Sequence, residues 1–223
     1  MDVPDRPLAA SQHFLRIVAA WGRDLTPRML KIIEARSEPH HLGAAAANLF
    51  RLPRLCEGVI LLNDVELFDE AATLVRVIAE LAIGAAWVGT NDERAWDMAR
   101  DLGDAANRGD AMRLEQLGLK PAHETLDDAK RLPPLRTRAE QAGADALALF
   151  AGVYDILSGP SHSPLTPLGH LDPDSRGLFG RGIAGFAVQA ASRLGYYAST
   201  NLGITDGRES VQAALAKWSA SGG

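Results

Sequence analysis

From Leu8 to about Arg36, apolar residues recur at steps of three and four: Phe14, Ile17, Val18, Trp21, Leu25, Met29, Ile32 and Ile33. That spacing predicts an amphipathic helix, with Pro27 placed to restart or kink it and Thr26 as its cap. Pro39 ends the element. A second helix is predicted from about His41 to Asn63, kinked near Pro53, with Leu49, Leu52, Leu55, Val59 and Leu62 along one side. The third, about Leu67 to Val88, is apolar nearly all round, the pattern of a central, buried helix. A polar amphipathic helix follows from about Asp92 to Leu117, opened by Asn91 or Asp92 and turning Trp96, Ala99, Leu102 and Ala106 inward.

Residues 118–135 carry Gly118, Pro121, Pro133 and Pro134 and read as a connector. A fifth long helix spans roughly Arg136 to Leu157 and stops at Gly159-Pro160. Residues 159–175 hold four prolines and little apolar periodicity, a length of loop that compact domains use for function or leave disordered. The last long helix covers about Arg176 to Leu202. Asp206 opens a short helix ending near Trp218, and residues 219–223 form a frayed tail. No strand-like alternation and no repeat of 20–50 residues interrupts this pattern. The expectation is therefore all-α: a single domain over 1–223, built as a bundle of five to six main helices.

Composition narrows the class. The chain is 47% hydrophobic, 23% charged and only 6% aromatic, which suits helices packed closely through small residues. A net charge of −5 argues against a generic nucleic-acid scaffold and leaves a local basic patch open. The one cysteine, Cys56, excludes an internal disulfide and a cysteine-built zinc site, and its neighbours Leu55, Val59 and Ile60 predict a buried thiol. The start, MDVPDRP, shows no signal peptide. The longest apolar run, Leu81 to Val88, is shorter than the roughly 20 residues that span a bilayer. A cytoplasmic location without membrane partners is the expectation.

Several motifs have a plain alternative. Gly180, Gly182 and Gly185 match G-x-G-x-x-G, but a proline-rich loop precedes them where a dinucleotide site has a strand. Close helix packing explains them, or Arg176, Arg181 and free amides at the helix start hold an anion. Arg36 and His41 match the R-x4-H pattern of ribonucleases of the HEPN superfamily; with 19 Arg and 6 His, chance alone supplies about half a match. Adjacent His40 and His41 point about 100° apart on a helix and chelate one ion poorly. Glu57, Glu66, Glu70 and Glu80 lack the E-x-x-H spacing of di-iron bundles. No metal and no cofactor is expected.

The best constellation lies elsewhere. Arg76 and Glu80 share one face of the most apolar helix, in the Arg-then-Glu order less favourable for a local pair. A buried ion pair there costs desolvation, and losing one partner costs about 3–5 kcal/mol. Tyr154 and Ser158 lie one turn apart, and His162 follows at the mouth of the proline-rich loop. The stretch Leu67–Glu80 with Arg76 and Glu80, followed by Tyr154, Leu157, Ser158 and His162, resembles a large bacterial family of all-helical proteins of unknown function with HEPN-like architecture. The resemblance covers roughly residues 45–200 and implies a fold, commonly a homodimer, rather than a known reaction. Position 157, five before His162, is Leu where catalytic HEPN proteins carry Arg.

Three readings follow. In the first, the chain is a HEPN-like hydrolase of RNA or a nucleotide, in a defence or toxin–antitoxin setting. His162 is then its general acid or base, Arg76 stabilises phosphate charge and Glu80 orients one of them. In the second, the pocket holds a small anionic ligand, with Tyr154, Ser158, Arg176 and Arg181 as binding residues, or the chain docks a partner helix. In the third, the polar residues only lock two helices together in a dimeric scaffold.

Overall fold

The three-and-four spacing is realised as helix, and no strand occurs among the described residues. The computed structural model describes residues 6–34, 39–99, 132–162 and 173–221. α1 covers Arg6–Glu34, α2 His40–Asp64 and α3 Phe68–Val88. α4 comprises residues 92–99, the described part of the predicted fourth helix. α5 (Leu135–Ala142) and α6 (Ala144–Leu149) lead through a π-turn at Phe150–Tyr154 into α7 (Asp155–His162). α8 (Pro173–Asn201) and α9 (Arg208–Ala220) complete the chain.

Two of these elements depart from the sequence expectation. The single helix expected over 136–157 is broken, because Gly143 adopts φ 114°, a conformation that ends α5 and lets α6 restart. The helical chain then runs past Gly159-Pro160 to His162, and α8 opens at Pro173, before the predicted Arg176. The bundle thus has more helical segments than the expected five to six. Of the predicted loop at 159–175, residues 163–172 lie outside the described residues, as does most of the 100–131 stretch on the predicted fourth helix and connector.

α3 is the central helix. It packs against α2, α5, the π-turn, α7 and, most extensively, α8. By length and composition it is apolar enough to cross a membrane, yet Val75, Ile78, Ala79, Ala82 and Ile83 are fully enclosed by the bundle. α8 supplies Ala187, Ala190, Ala191 and Leu194 to the same core, and α1 and α2 add Phe14, Leu15, Met29, Leu49 and Leu52. Pro27 and Pro53 both sit inside continuous helices. Thr26 does not cap a restarted helix: its hydroxyl donates back to the Gly22 carbonyl at 3.3 Å. Gly22 also makes room for Pro53, since a Cβ there would lie 2.7 Å from the proline ring. Cys56 is buried, and burial pushes its thiol up to about 12, so it behaves as a small apolar side chain.

Two helix ends position the sites described next. α8 ends in a Schellman turn, with Gly203 at φ 64° and the Ile204 amide bonded to the Ser199 carbonyl at 2.8 Å. α2 ends in the same turn, with the Leu67 amide on the Leu62 carbonyl at 2.8 Å and the Glu66 amide on Asn63 at 3.2 Å. Here the left-handed position is held by Glu66 at φ 59°, the one described non-glycine residue with positive φ.

Candidate functional site

The residues singled out on α3 and α7 are partly brought together. α3 packs against the π-turn and α7, so Arg76 and the Tyr154–Ser158 segment belong to neighbouring elements. Arg76 is half-buried and Glu80 is exposed. Asp69, Thr73, Arg76 and Glu80 follow one another at helical steps and form the hydrophilic stripe of α3, opposite its core face. The expectation of a dry Arg76–Glu80 pair therefore does not hold for Glu80, which water reaches. Tyr154 stacks on Phe150 with ring centroids 5.5 Å apart, and the Ser158 hydroxyl donates to the Tyr154 carbonyl at 2.7 Å. His162 is the last residue of α7; its side chain lies outside the described residues.

The other motifs resolve as follows. Arg36 lies outside the described residues. His41 binds Asp92 twice, through its backbone amide at 3.0 Å and its ring Nδ1 at 3.3 Å to the same oxygen. Asp92 thereby caps α2 across space, while Asn91 caps its own helix by accepting the Arg94 amide at 3.0 Å. The His41 amide chiefly, with both imidazoles nearby, holds the Asp92 carboxyl below its usual range against a smaller opposing effect of burial. His40 stacks on Trp96 at 4.7 Å, so the two histidines diverge. Among the described residues no group of three His, Cys, Asp or Glu side chains could hold a metal ion.

Gly180 lies well inside α8, seven residues from its start, where backbone amides are already bonded within the helix. A Cβ on Gly180 would come within 3.0 Å of both Asn63 and Phe68, so close packing explains that glycine; nothing lies within 4 Å of the equivalent position on Gly182. Arg181 is half-buried on the same helix, and Arg176 sits 3.5 Å from the Glu66 carboxylate.

A polar cavity forms at the opposite end of α8, chiefly among residues the sequence pattern did not single out. Arg193 and Tyr197, one turn apart, converge on Asp145 near the start of α6. Arg193 Nε and Nη2 lie 3.0 and 2.9 Å from Asp145 Oδ1, and the Tyr197 hydroxyl donates to Oδ2 at 2.5 Å. Burial and the Asp145 carboxylate push the Tyr197 phenol above its usual value, so it remains a donor. For Asp145, burial acts upward, and the Tyr197 and Arg193 hydrogen bonds outweigh it to leave the carboxyl below its usual range.

Arg208, the first residue of α9, completes the wall. Its Nε donates to Ser199 Oγ at 2.9 Å, and its Nη2 donates to Thr200 Oγ1 at 2.6 Å and to the Tyr196 carbonyl at 3.3 Å. The guanidinium lies over the Tyr196 ring, 5.4 Å from its centroid. It thus binds two hydroxyls and one carbonyl near the C-terminal end of α8, where a cation is favoured, and it meets no carboxylate among the described residues. Between these groups lies a cavity of about 290 Å³ whose apolar lining comes from Trp21, Val211 and Leu215.

The Asp145 geometry fixes the sign of one pH effect. A carboxyl lowered by folding contributes stability above its unfolded value, about pH 4, and that contribution disappears as pH falls through the folded value. Asp145 is more than half exposed, so solvent screening keeps the contribution small. Asp145→Asn is expected to lower the urea midpoint slightly at about pH 6 and to match the parent protein near pH 2. Parallel curves, with the same difference at both pH values, would show that the carboxylate is not held this way.

No protein-family model matches the chain, and no curated protein or solved structure does either. The functional reading therefore stands on the chain's own chemistry.

Proposed function

We propose that this protein binds a small organic anion with an apolar or aromatic portion, in the cavity between α8 and α9. The observation that supports this reading is Arg208: a cation bordering the cavity, held by hydroxyls and a carbonyl, with no carboxylate to neutralise it among the described residues. The lining carries Arg193, Arg208 and Asp145, a net single positive charge. At about 290 Å³ the space is at the small end of ligand pockets, which are usually about 300–1,000 Å³. Trp21 and Tyr196 offer aromatic surface, while the remaining guanidinium donors suit a carboxylate.

Titration with benzoate, and with benzyl alcohol as the uncharged counterpart, tests the reading. Benzoate is expected to bind saturably and benzyl alcohol not. Arg208→Ala should weaken benzoate by about tenfold or more, the effect of losing a charge-assisted contact. Asp145→Asn removes the competing carboxylate and should tighten it. Benzoate binding that is indifferent to Arg208→Ala would remove the proposal.

A second reading is an RNA- or nucleotide-directed hydrolase using His162, Arg76 and Glu80, and the packing of α3 against the π-turn and α7 supports it. Loss of phosphodiester cleavage in His162→Ala at an unchanged melting temperature favours this reading, whereas lost stability alone leaves a structural role.

A further inference from the structure

The anion cavity contains one acceptor that its own walls leave unfilled. The two oxygens of a carboxylate offer about four acceptor positions. At Asp145, Oδ1 takes Arg193 Nε at 3.0 Å and Nη2 at 2.9 Å, and Oδ2 takes the Tyr197 hydroxyl at 2.5 Å. One position on Oδ2 therefore has no donor among the described residues. A ligand can reach this carboxylate, because Asp145 belongs to the cavity wall and 58% of its side chain is exposed. The group is ionised at neutral pH, so a donor arriving there makes a charge-assisted hydrogen bond.

Donors are left over on the other side. Arg193 commits Nε and Nη2 to Asp145 and Nη1 to the Gln189 carbonyl at 3.3 Å. Arg208 commits Nε to Ser199 and Nη2 to Thr200 and Tyr196, so both N–H groups of Nη1 lack an acceptor among the described residues. The two unfilled ends are well separated. Asp145 is held by Arg193 and Tyr197, and Arg208 by Tyr196, Ser199 and Thr200. The second set is centred about 5 Å further along α8 and about a quarter-turn round it, which sets the two charged groups on the order of 10 Å apart. A benzene ring with a carboxylate at one end and a donor at the other spans such a gap with a hydrogen bond at each end. Charge decides which donor fits. The lining carries one net positive charge, so an anion with a neutral hydroxyl balances it, whereas an ammonium cancels the ligand's own charge and meets Arg193 at the same carboxylate.

We infer that the ligand of this cavity is a hydroxyaryl carboxylate. Its carboxylate accepts from Arg208 Nη1, its ring lies against Trp21, Val211 and Leu215, and its hydroxyl donates to Asp145 Oδ2. This names the class within the anion-binding reading and rests on that reading.

The test titrates the full chain at neutral pH with 4-hydroxybenzoate, with 4-methylbenzoate as its near-isostere without a donor, and with 4-(aminomethyl)benzoate as the cationic donor. 4-Hydroxybenzoate is expected to bind about tenfold more tightly than 4-methylbenzoate, the effect of one hydrogen bond to a charged group. 4-(Aminomethyl)benzoate should bind no more tightly than 4-methylbenzoate. In Asp145→Asn, 4-methylbenzoate should tighten, as expected for benzoate, while the advantage of the hydroxyl falls to about twofold or less. The ratio of the two Kd values cancels any general change in the cavity, so a merely structural role of Asp145 would leave it at its parent value. Equal binding of the hydroxy and methyl compounds, with both still weakened by Arg208→Ala, overturns the inference and leaves the anion reading standing. An advantage retained in Asp145→Asn overturns it as well, and so does tighter binding of the aminomethyl compound. Absence of saturable binding by either anion overturns the inference and the reading together.

Discussion

Trp21→Ala is expected to lower the unfolding free energy by about 3–5 kcal/mol, the range for removing a large aromatic from a core. Trp21 belongs to α1 and is only 8% exposed. Its indole Nε1 donates to the Asp206 carbonyl at 2.9 Å, joining the first helix to the turn before the last one. The ring also fills space that two glycines leave for it. A Cβ on Gly195 would lie 3.0 Å from Trp21 Cζ3, and one on Gly207, at φ 75°, would lie 2.6 Å from Cδ1. With glycine on both flanks, neighbouring side chains are too short to close the void, so the cavity cost adds to the lost burial. Trp21→Phe retains part of the ring and loses the hydrogen bond, and should cost substantially less. Urea unfolding of the three proteins decides this. A loss below about 1 kcal/mol for Trp21→Ala would mean that α9 and its turn are not anchored by this residue. The same substitution removes an apolar wall of the anion cavity, so benzoate affinity should fall with it.

The parts of this fold that were legible in the sequence are those decided locally. Apolar spacing placed α1, α2, α3 and α8 within a few residues of their ends, and the continuous apolar surface of α3 marked it as central. The buried state of Cys56 and the cap at Asn91 followed from neighbours in sequence. The break at Gly143 was not legible, because a lone glycine within a helical pattern signals lowered propensity rather than a stop. Glu66 was missed for the opposite reason: the left-handed end of a helix is expected at glycine or asparagine. The α8–α9 cavity depends on pairs 48 and 52 positions apart, Arg193 and Tyr197 with Asp145, and only the tertiary packing joins them. Its sequence trace was slight: Arg193 and Tyr197 at i and i+4, with Arg208 after a short turn. The Arg76–Glu80 pair shows how a correct pattern can carry a wrong environment. The two share a face, but water reaches Glu80 on it while Arg76 is half-buried.

That distinction sets the last expected result, on α3 itself. Ala82 is fully buried two positions beyond exposed Glu80, on the face that packs into the core. α3 packs most extensively on α8, and Ala79 and Ala82 of α3 and Ala187, Ala190 and Ala191 of α8 are all at 0% exposure; small buried residues of this kind let helix axes approach closely. Ala82→Leu forces three additional carbons into that seam and should cost about 1–3 kcal/mol or more. Ala82→Gly leaves the seam unstrained and should cost about 1 kcal/mol through helix propensity. Glu80→Ala, on the solvent side, should change stability by no more than about 0.5 kcal/mol. Denaturant unfolding of the three variants separates the two faces of one helix. A loss of about 3–5 kcal/mol in Glu80→Ala would instead identify a buried ion pair with Arg76. A neutral Ala82→Leu would show that α3 and α8 are not packed as tightly as their alanines imply.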